Sequence, residues 1–170
     1  ITTVAGKTGR GFAGDGGLAS EAALDTPSGL IVGPSGNLYV ADAGNNRIRK
    51  VSETGEISSM VGAGPVGSYT DAFFGDGGPA AAAGLDSPSG IFVGASGYVL
   101  VCDTDNDRVR RIDPLTGTIA TVVGDGTGAY GGDGIPATET SINGPRGAFV
   151  DGLGNLYIAD TANHRVRRVD

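Results

Sequence analysis

The side chains whose types could do chemistry come in threes. Asp42, Asp103 and Asp160 each stand three residues before Asn45, Asn106 and Asn163, and five before Arg47, Arg108 and Arg165. A carboxylate ahead of a turn and a guanidinium after it suit an Asx turn, in which the carboxylate accepts the turn's N–H groups and meets the arginine across it. The same set in every copy points to architecture, because chemistry at the centre of a ring draws different residues from different copies. A second threesome, Asp15, Asp76 and Asp133, lies in Gly-Asp-Gly loops. Calcium asks for several oxygen ligands close together, and each loop offers one carboxylate, or two with Asp71 or Asp125. Ca²⁺ is therefore the one cofactor worth naming, and the loops supply it poorly. His164, the single histidine, sits where Asn46 and Asp107 stand in the other copies and reads as a polar turn residue. One histidine leaves no histidine-rich zinc site and no duplicated acid–base pair.

Cys102 replaces Ala41 and Ala159 and reads as a small buried residue; as the only cysteine it has no partner for a disulfide within the chain. The glycine runs GAGPVG and GDGTG lack the strand-to-helix setting of a phosphate loop, and no serine nucleophile elbow occurs. No catalytic, metal or cofactor-binding residue is assigned. The net charge of −7 argues against a nucleic-acid partner, whose binding rests on Lys and Arg displacing counterions. No apolar run reaches the 18 or so residues of a membrane span. The chain opens on Ile1 and carries no signal peptide, as a mature protein or a piece of a longer one would.

What positions these residues is a repeat. PSGLIVGPSGNLYVADAGNNRIRKV from Pro27 returns as PSGIFVGASGYVLVCDTDNDRVRRI from Pro88 and PRGAFVDGLGNLYIADTANHRVRRV from Pro145, without a gap. Each copy predicts three short strands joined by tight turns, and LIV, IFV and AFV read as strands buried on both faces. A fourth β-branched run, ITTVA, ISSMV or IATVV, precedes each glycine-rich loop. In the third strand, Ile48 and Val51 cannot share a face under strict alternation, which predicts a bulge or a strand that stops early. After each Gly-Asp-Gly, one helical turn is expected, N-capped by Asp15, Asp76 or Asp133 and ended by Pro27, Pro88 or Pro145. Leu24, Leu85 and Ile142 plug that segment onto the body. Four strands per unit with turn signals between them predict an all-β protein, a β-propeller of three four-stranded blades. Ordinary solenoid repeats are shorter than these. The chain reads as one segment, residues 1–170, with repeats at about 1–56, 57–118 and 119–170.

GNLYVADAGNNRIRKV, from Gly36, resembles the NHL repeat, with its G-x-[ILV]-[YV]-[VI]-[AT]-D-x-x-N-x-R-[IV] core. The third copy matches most fully, through Gly154, Asp160, Asn163, His164, Arg165 and Val166, and the second departs at Tyr98 and Cys102. The long form with G-D-G-G-x-A is similar to extended NHL repeats of surface or secreted proteins. The resemblance implies a propeller, and a family of binders, scaffolds and a few lyases. Three blades are too few to close a ring, so a ring of about six is expected, completed by a second copy or by further blades, with ITTVA finishing the last blade.

The function that follows is a non-enzymatic protein- or glycan-binding or assembly module, extracellular or on a surface. The ligand face falls on the varied loops such as GPVGSYTDAFF, and deletion of Val66 to Thr70 is expected to change binding without unfolding. Phe12, Phe73 and Tyr130, one per blade, read as buried under the loops more than as a stacking shelf for sugar. The alternatives are a metal-dependent lyase or hydrolase of NHL type, and a structural subunit of a filament.

Overall fold

The computed structural model describes residues 1–63 and 73–170. Eleven strands are present among them. β1 (Pro27–Val32), β2 (Leu38–Asp42), β3 (Arg47–Val51) and β4 (Ile57–Val61) form one antiparallel sheet in sequential order. β5 (Ile91–Val93), β6 (Val99–Asp103), β7 (Arg108–Ile112) and β8 (Ile119–Val123) form the second. β9 (Pro145–Val150), β10 (Leu156–Asp160) and β11 (Arg165–Val169) form the third, which has three strands. These are three blades of a β-propeller, and the only helical pieces among the described residues are single 3-10 turns. ITTVA, expected as a strand, is irregular, and among the described residues no fourth strand lies along β11.

Alternation along β2 and β3 divides each blade into a front, toward the preceding blade, and a back, toward the following one. In the first blade Tyr39, Ala41 and Ile48 point back and join Val93, Val99, Val101 and Ile112 of the second blade in one buried cluster. The backs of β6 and β7, through Leu100, Cys102 and Val109, do the same with Ile158 of the third. The segment before each blade is wedged into the same seam: Leu85 is 1% exposed and Ile142 fully buried. No sheet is thick enough to have a core of its own, so the stacking supplies it.

Ile48 and Val51 are both buried because both faces of β3 are covered, with Val51 packed on Ala19, Ala22 and Ile57 at the front. The expected bulge is on the facing strand: Ile48 pairs with Val61 and Arg49 with Ser59, which leaves Met60 as the extra residue. β8 repeats this with Val122, between Val123 and Thr121. The expectation that the first strands are buried on both faces holds least for β1, whose Leu30 and Val32 are 72% and 62% exposed. The run buried throughout is β6.

At the inner strands the blades approach too closely for side chains. A Cβ on Gly29 would lie 2.1 Å from the Ser89 carbonyl oxygen, and one on Gly90 would lie 2.6 Å from that of Arg146. The serine before Gly29 uses the contact, since Ser28 Oγ donates to the Pro88 carbonyl.

Candidate functional site

β2, β6 and β10 all end on aspartate at the same end of the sheets, where the long loops also enter. The carboxylate of Asp42 is fully buried. Its Oδ1 accepts the backbone N–H of Asp25 at 2.7 Å, and its Oδ2 accepts Asn45 Nδ2 at 2.8 Å and Arg49 Nη1 at 3.1 Å. Asp103 repeats this with the N–H of Asp86, Asn106 Nδ2 and Arg110 Nη1. Asp160 repeats it with Asn143 N–H and Asn163 Nδ2, and Arg167 Nη1 stands 3.9 Å away. Each carboxylate therefore ties the turn after its own strand to the segment entering its own blade.

The expected Asp–Arg contact shifts two residues along the strand. The arginine that donates to the buried aspartate is Arg49, Arg110 or Arg167, whereas Arg108 donates to the carbonyls of Gly124 and Asp125. Arg47 and Arg49 point to one face of β3 and hold Phe12 between them, with guanidinium carbons 4.3 and 4.8 Å from the ring centre. Arg108 and Arg110 hold Phe73 in the same way, and Arg165 and Arg167 hold Tyr130. The three aromatics thus stack on arginine, and Phe73 and Tyr130 stay 37% and 42% exposed.

Asp15, Asp76 and Asp133 are not helix caps. The 3-10 turn Ala19–Glu21 is entered from Leu18 without a side-chain cap, and Asp15 instead accepts Arg49 Nη2 at 2.6 Å. Asp76 accepts Arg110 Nη2 at 2.6 Å and Asp133 accepts Arg167 Nη2 at 3.0 Å. Each buried guanidinium is shared between a core carboxylate and a loop carboxylate, with loop carbonyls such as Gly84 O completing its shell. Among the described residues no three metal-ligating side chains converge. Asp71 lies outside those residues, as do Val66 to Thr70, and Asp125 accepts Thr127 N–H and Ser141 Oγ.

Burial decides the electrostatics. It pushes the Asp103 carboxyl up to about 6, against the bonds from Asp86, Asn106 and Arg110 that favour the anion. Asp42 is raised for the same first reason. For the half-exposed Asp76, burial also acts upward but is outweighed by donation from Thr121 and Arg110, so the carboxyl is lowered. The Cys102 thiol is pushed up to about 12 by burial, which leaves it protonated and inert as a nucleophile.

A further set was only half visible in the sequence. Asn46, Asp107 and His164 are left-handed residues closing the turns, with φ of 54°, 52° and 54°, a conformation that Asn, Asp and His adopt more readily than other side chains. Asn46 Oδ1 accepts Ser87 N–H at 2.8 Å and Asp107 Oδ1 accepts Gly144 N–H at 2.7 Å, so each turn latches onto the next blade. The exchange of Asn for Asp and His marked a turn residue; its partner across the seam is 41 or 37 residues away and carries no sequence signal. Beside the second turn, Phe73, Asp105, Asn106, Arg108 and Gly126 line a polar pocket of about 270 Å³.

The NHL repeat family model matches residues 143–169, and that of the teneurin NHL domain matches residues 4–52. These repeats belong to the NHL family. The chain is 29% identical over 147 residues to the protein SUPPRESSOR OF QUENCHING 1, chloroplastic, of Arabidopsis thaliana, covering 85% of this chain and 14% of that protein. It is 39% identical over 104 residues to human Teneurin-4, covering 56% of this chain and 4% of that protein. It thus spans a small part of the relatives it matches. A solved structure of an auxiliary nutrient binding protein from Bacteroides ovatus superposes with a TM-score of 0.69 at 22% identity, over 90% of this chain and 39% of that one, a likeness of fold. In this NHL chain the motif residues Asp, Asn and Arg take part in the hydrogen bonds and ring contacts just described.

Proposed function

We propose that this NHL chain is part of a non-enzymatic propeller that binds a protein or carbohydrate ligand on its loop end, with no resident cofactor. The observation that carries the reading is the division of labour among polar residues. The repeated Asp, Asn and Arg are engaged with one another and with backbone, blade after blade, while the loops above them differ from copy to copy. Loops on a rigid scaffold are where recognition concentrates, and the pocket at Phe73, Asp105 and Arg108 gives it a polar floor. The match to Teneurin-4 and the fold of a nutrient-binding protein accord with a binding role. An extracellular or surface setting agrees with those two, although the repeat also occurs in a protein named as chloroplastic.

The test is to probe the chain against arrays of glycans and of cell-surface ectodomains. A ligand found there is expected to be lost, by tenfold or more in Kd, on Asp105→Ala or on deletion of residues 66–70, with an unchanged circular dichroism spectrum. A ligand that binds both variants as well as the parent would overturn the assignment of the face. Stoichiometric zinc, iron or calcium in the purified protein would overturn the reading without a cofactor.

A further inference from the structure

Where the loop end departs from the repeat, one side chain is left unspent. The turn after β6 reads Thr104-Asp105-Asn106, against Ala43-Gly44-Asn45 and Thr161-Ala162-Asn163 in the other copies. Asp105 is exposed, and among the described residues its carboxylate accepts no hydrogen bond. The carboxylates around it are all engaged: Asp103, Asp107 and Asp125 accept the N–H groups of Asp86, Gly144 and Thr127. The first copy has no room for such a group, since a Cβ on Gly44 would lie 2.6 Å from Asp25 Cγ.

Asp105 is one wall of the polar pocket at this turn, and Phe73, Asn106, Arg108 and Gly126 are the others. Arg108 is fixed there. Its Nη1 and Nη2 donate to the Gly124 and Asp125 carbonyls, and its guanidinium carbon stands 3.9 Å from the centre of the Phe73 ring. Gly126 lets the loop entering the third blade close over this guanidinium, because a Cβ at that position would collide with Nη2. Part of the Phe73 ring remains open. The pocket therefore offers a free acceptor, a fixed donor, an amide and an aromatic edge. With one carboxylate and one guanidinium its own formal charge is zero, and at about 270 Å³ it is smaller than the roughly 300–1,000 Å³ of sites for drug-sized ligands.

We infer that this pocket binds one neutral hexopyranose residue of a glycan, with ring hydroxyls bonded to Asp105 and Arg108 and apolar C–H groups against Phe73; the inference rests on the loop end being the ligand face. Sugar hydroxyls both donate and accept, so a carboxylate and a guanidinium in one pocket serve them together, and the C–H groups of the ring suit an aromatic surface. Charged ligands fit less well. A lysine or arginine side chain would find Phe73 already stacked by Arg108, which holds the cation–π position. An acidic sugar would enter a region of negative charge: the Asp107 carboxyl beside the pocket is raised by burial first, and also by the charges of Asp105, Asp160 and Asp125.

Saturation-transfer NMR of the chain with the methyl glycosides of glucose, galactose, mannose and N-acetylglucosamine is expected to show at least one binder, with a Kd of roughly 1 mM. Asp105→Asn keeps the size of an exposed side chain and removes its charge; it should weaken that binding tenfold or more with an unchanged circular dichroism spectrum. Tyr130→Leu, which alters the corresponding ring of the third blade, should leave the Kd as it was. The methyl glycoside of glucuronic acid should bind at least tenfold more weakly than the best neutral one. No transfer from any of the four neutral glycosides, or equal binding by Asp105→Asn, would overturn the inference. A protein ectodomain whose binding is lost on Asp105→Ala, with no glycoside bound, would keep the loop end as the ligand face and overturn the sugar alone.

Discussion

Arg110 is fully buried between two carboxylates, one of them also fully buried. Replacing such a pair by apolar residues can be neutral, but removing one partner strands a charge in the core, at a cost of about 3–5 kcal/mol. Arg110→Ala is therefore expected to lower the urea-unfolding free energy by about that amount. Arg167→Ala should cost less, because Arg167 is 12% exposed and 3.9 Å from Asp160. Asp103 itself makes stability depend on pH. Its carboxyl is raised from 3.8 to about 6 by burial, so between those values the folded chain holds a proton that the unfolded chain has released. Stability from this group is then expected to fall as pH rises from 4 to 6, by at most about 3 kcal/mol, and to level off above. Other carboxylates, such as Asp76, are shifted the other way. The measurement is therefore the difference in unfolding free energy between the parent and Asp103→Asn across pH 4 to 7, and a difference that stays flat would refute the assignment.

Between elements, the seams are held by glycine contacts at the inner strands and by turn latches at the loop end. Asp107→Ala removes the acceptor of the Gly144 N–H and puts a less suitable side chain into a left-handed turn. A loss of about 1–3 kcal/mol is expected in urea unfolding. Much of this level could be read from the chain alone. The short apolar and β-branched runs, the tight turns between them and the threefold Asp-x-x-Asn-x-Arg marked the strands and the turn between the second and third. The choice of arginine was hidden, because Arg47 and Arg49 lie on the same face of β3, and what separates them is the Phe12 ring, inserted from a loop 35 residues away. The role of Asp15 was hidden for the same reason: its partner Arg49 is 34 residues on, and a Gly-Asp-Gly ahead of a short turn looks locally like a cap. The bulge was placed on the wrong strand because two buried faces, rather than one, relieve the conflict between Ile48 and Val51.

At the scale of the molecule, each of the first two blades buries its back against the blade that follows it. Gly29 and Gly90 each face a carbonyl oxygen of the next blade, of Ser89 and of Arg146. Gly147 is their counterpart in β9, and a Cβ there meets nothing nearer than the Ala159 Cβ at 3.6 Å, an ordinary contact. Gly90→Ala should therefore force two backbones apart within the chain and lower its stability, by about 1–3 kcal/mol as overpacking does. Gly147→Ala should leave the stability of the chain unchanged, and equal losses for the two variants in urea unfolding would show that the close approach of neighbouring blades is not what sets the cost.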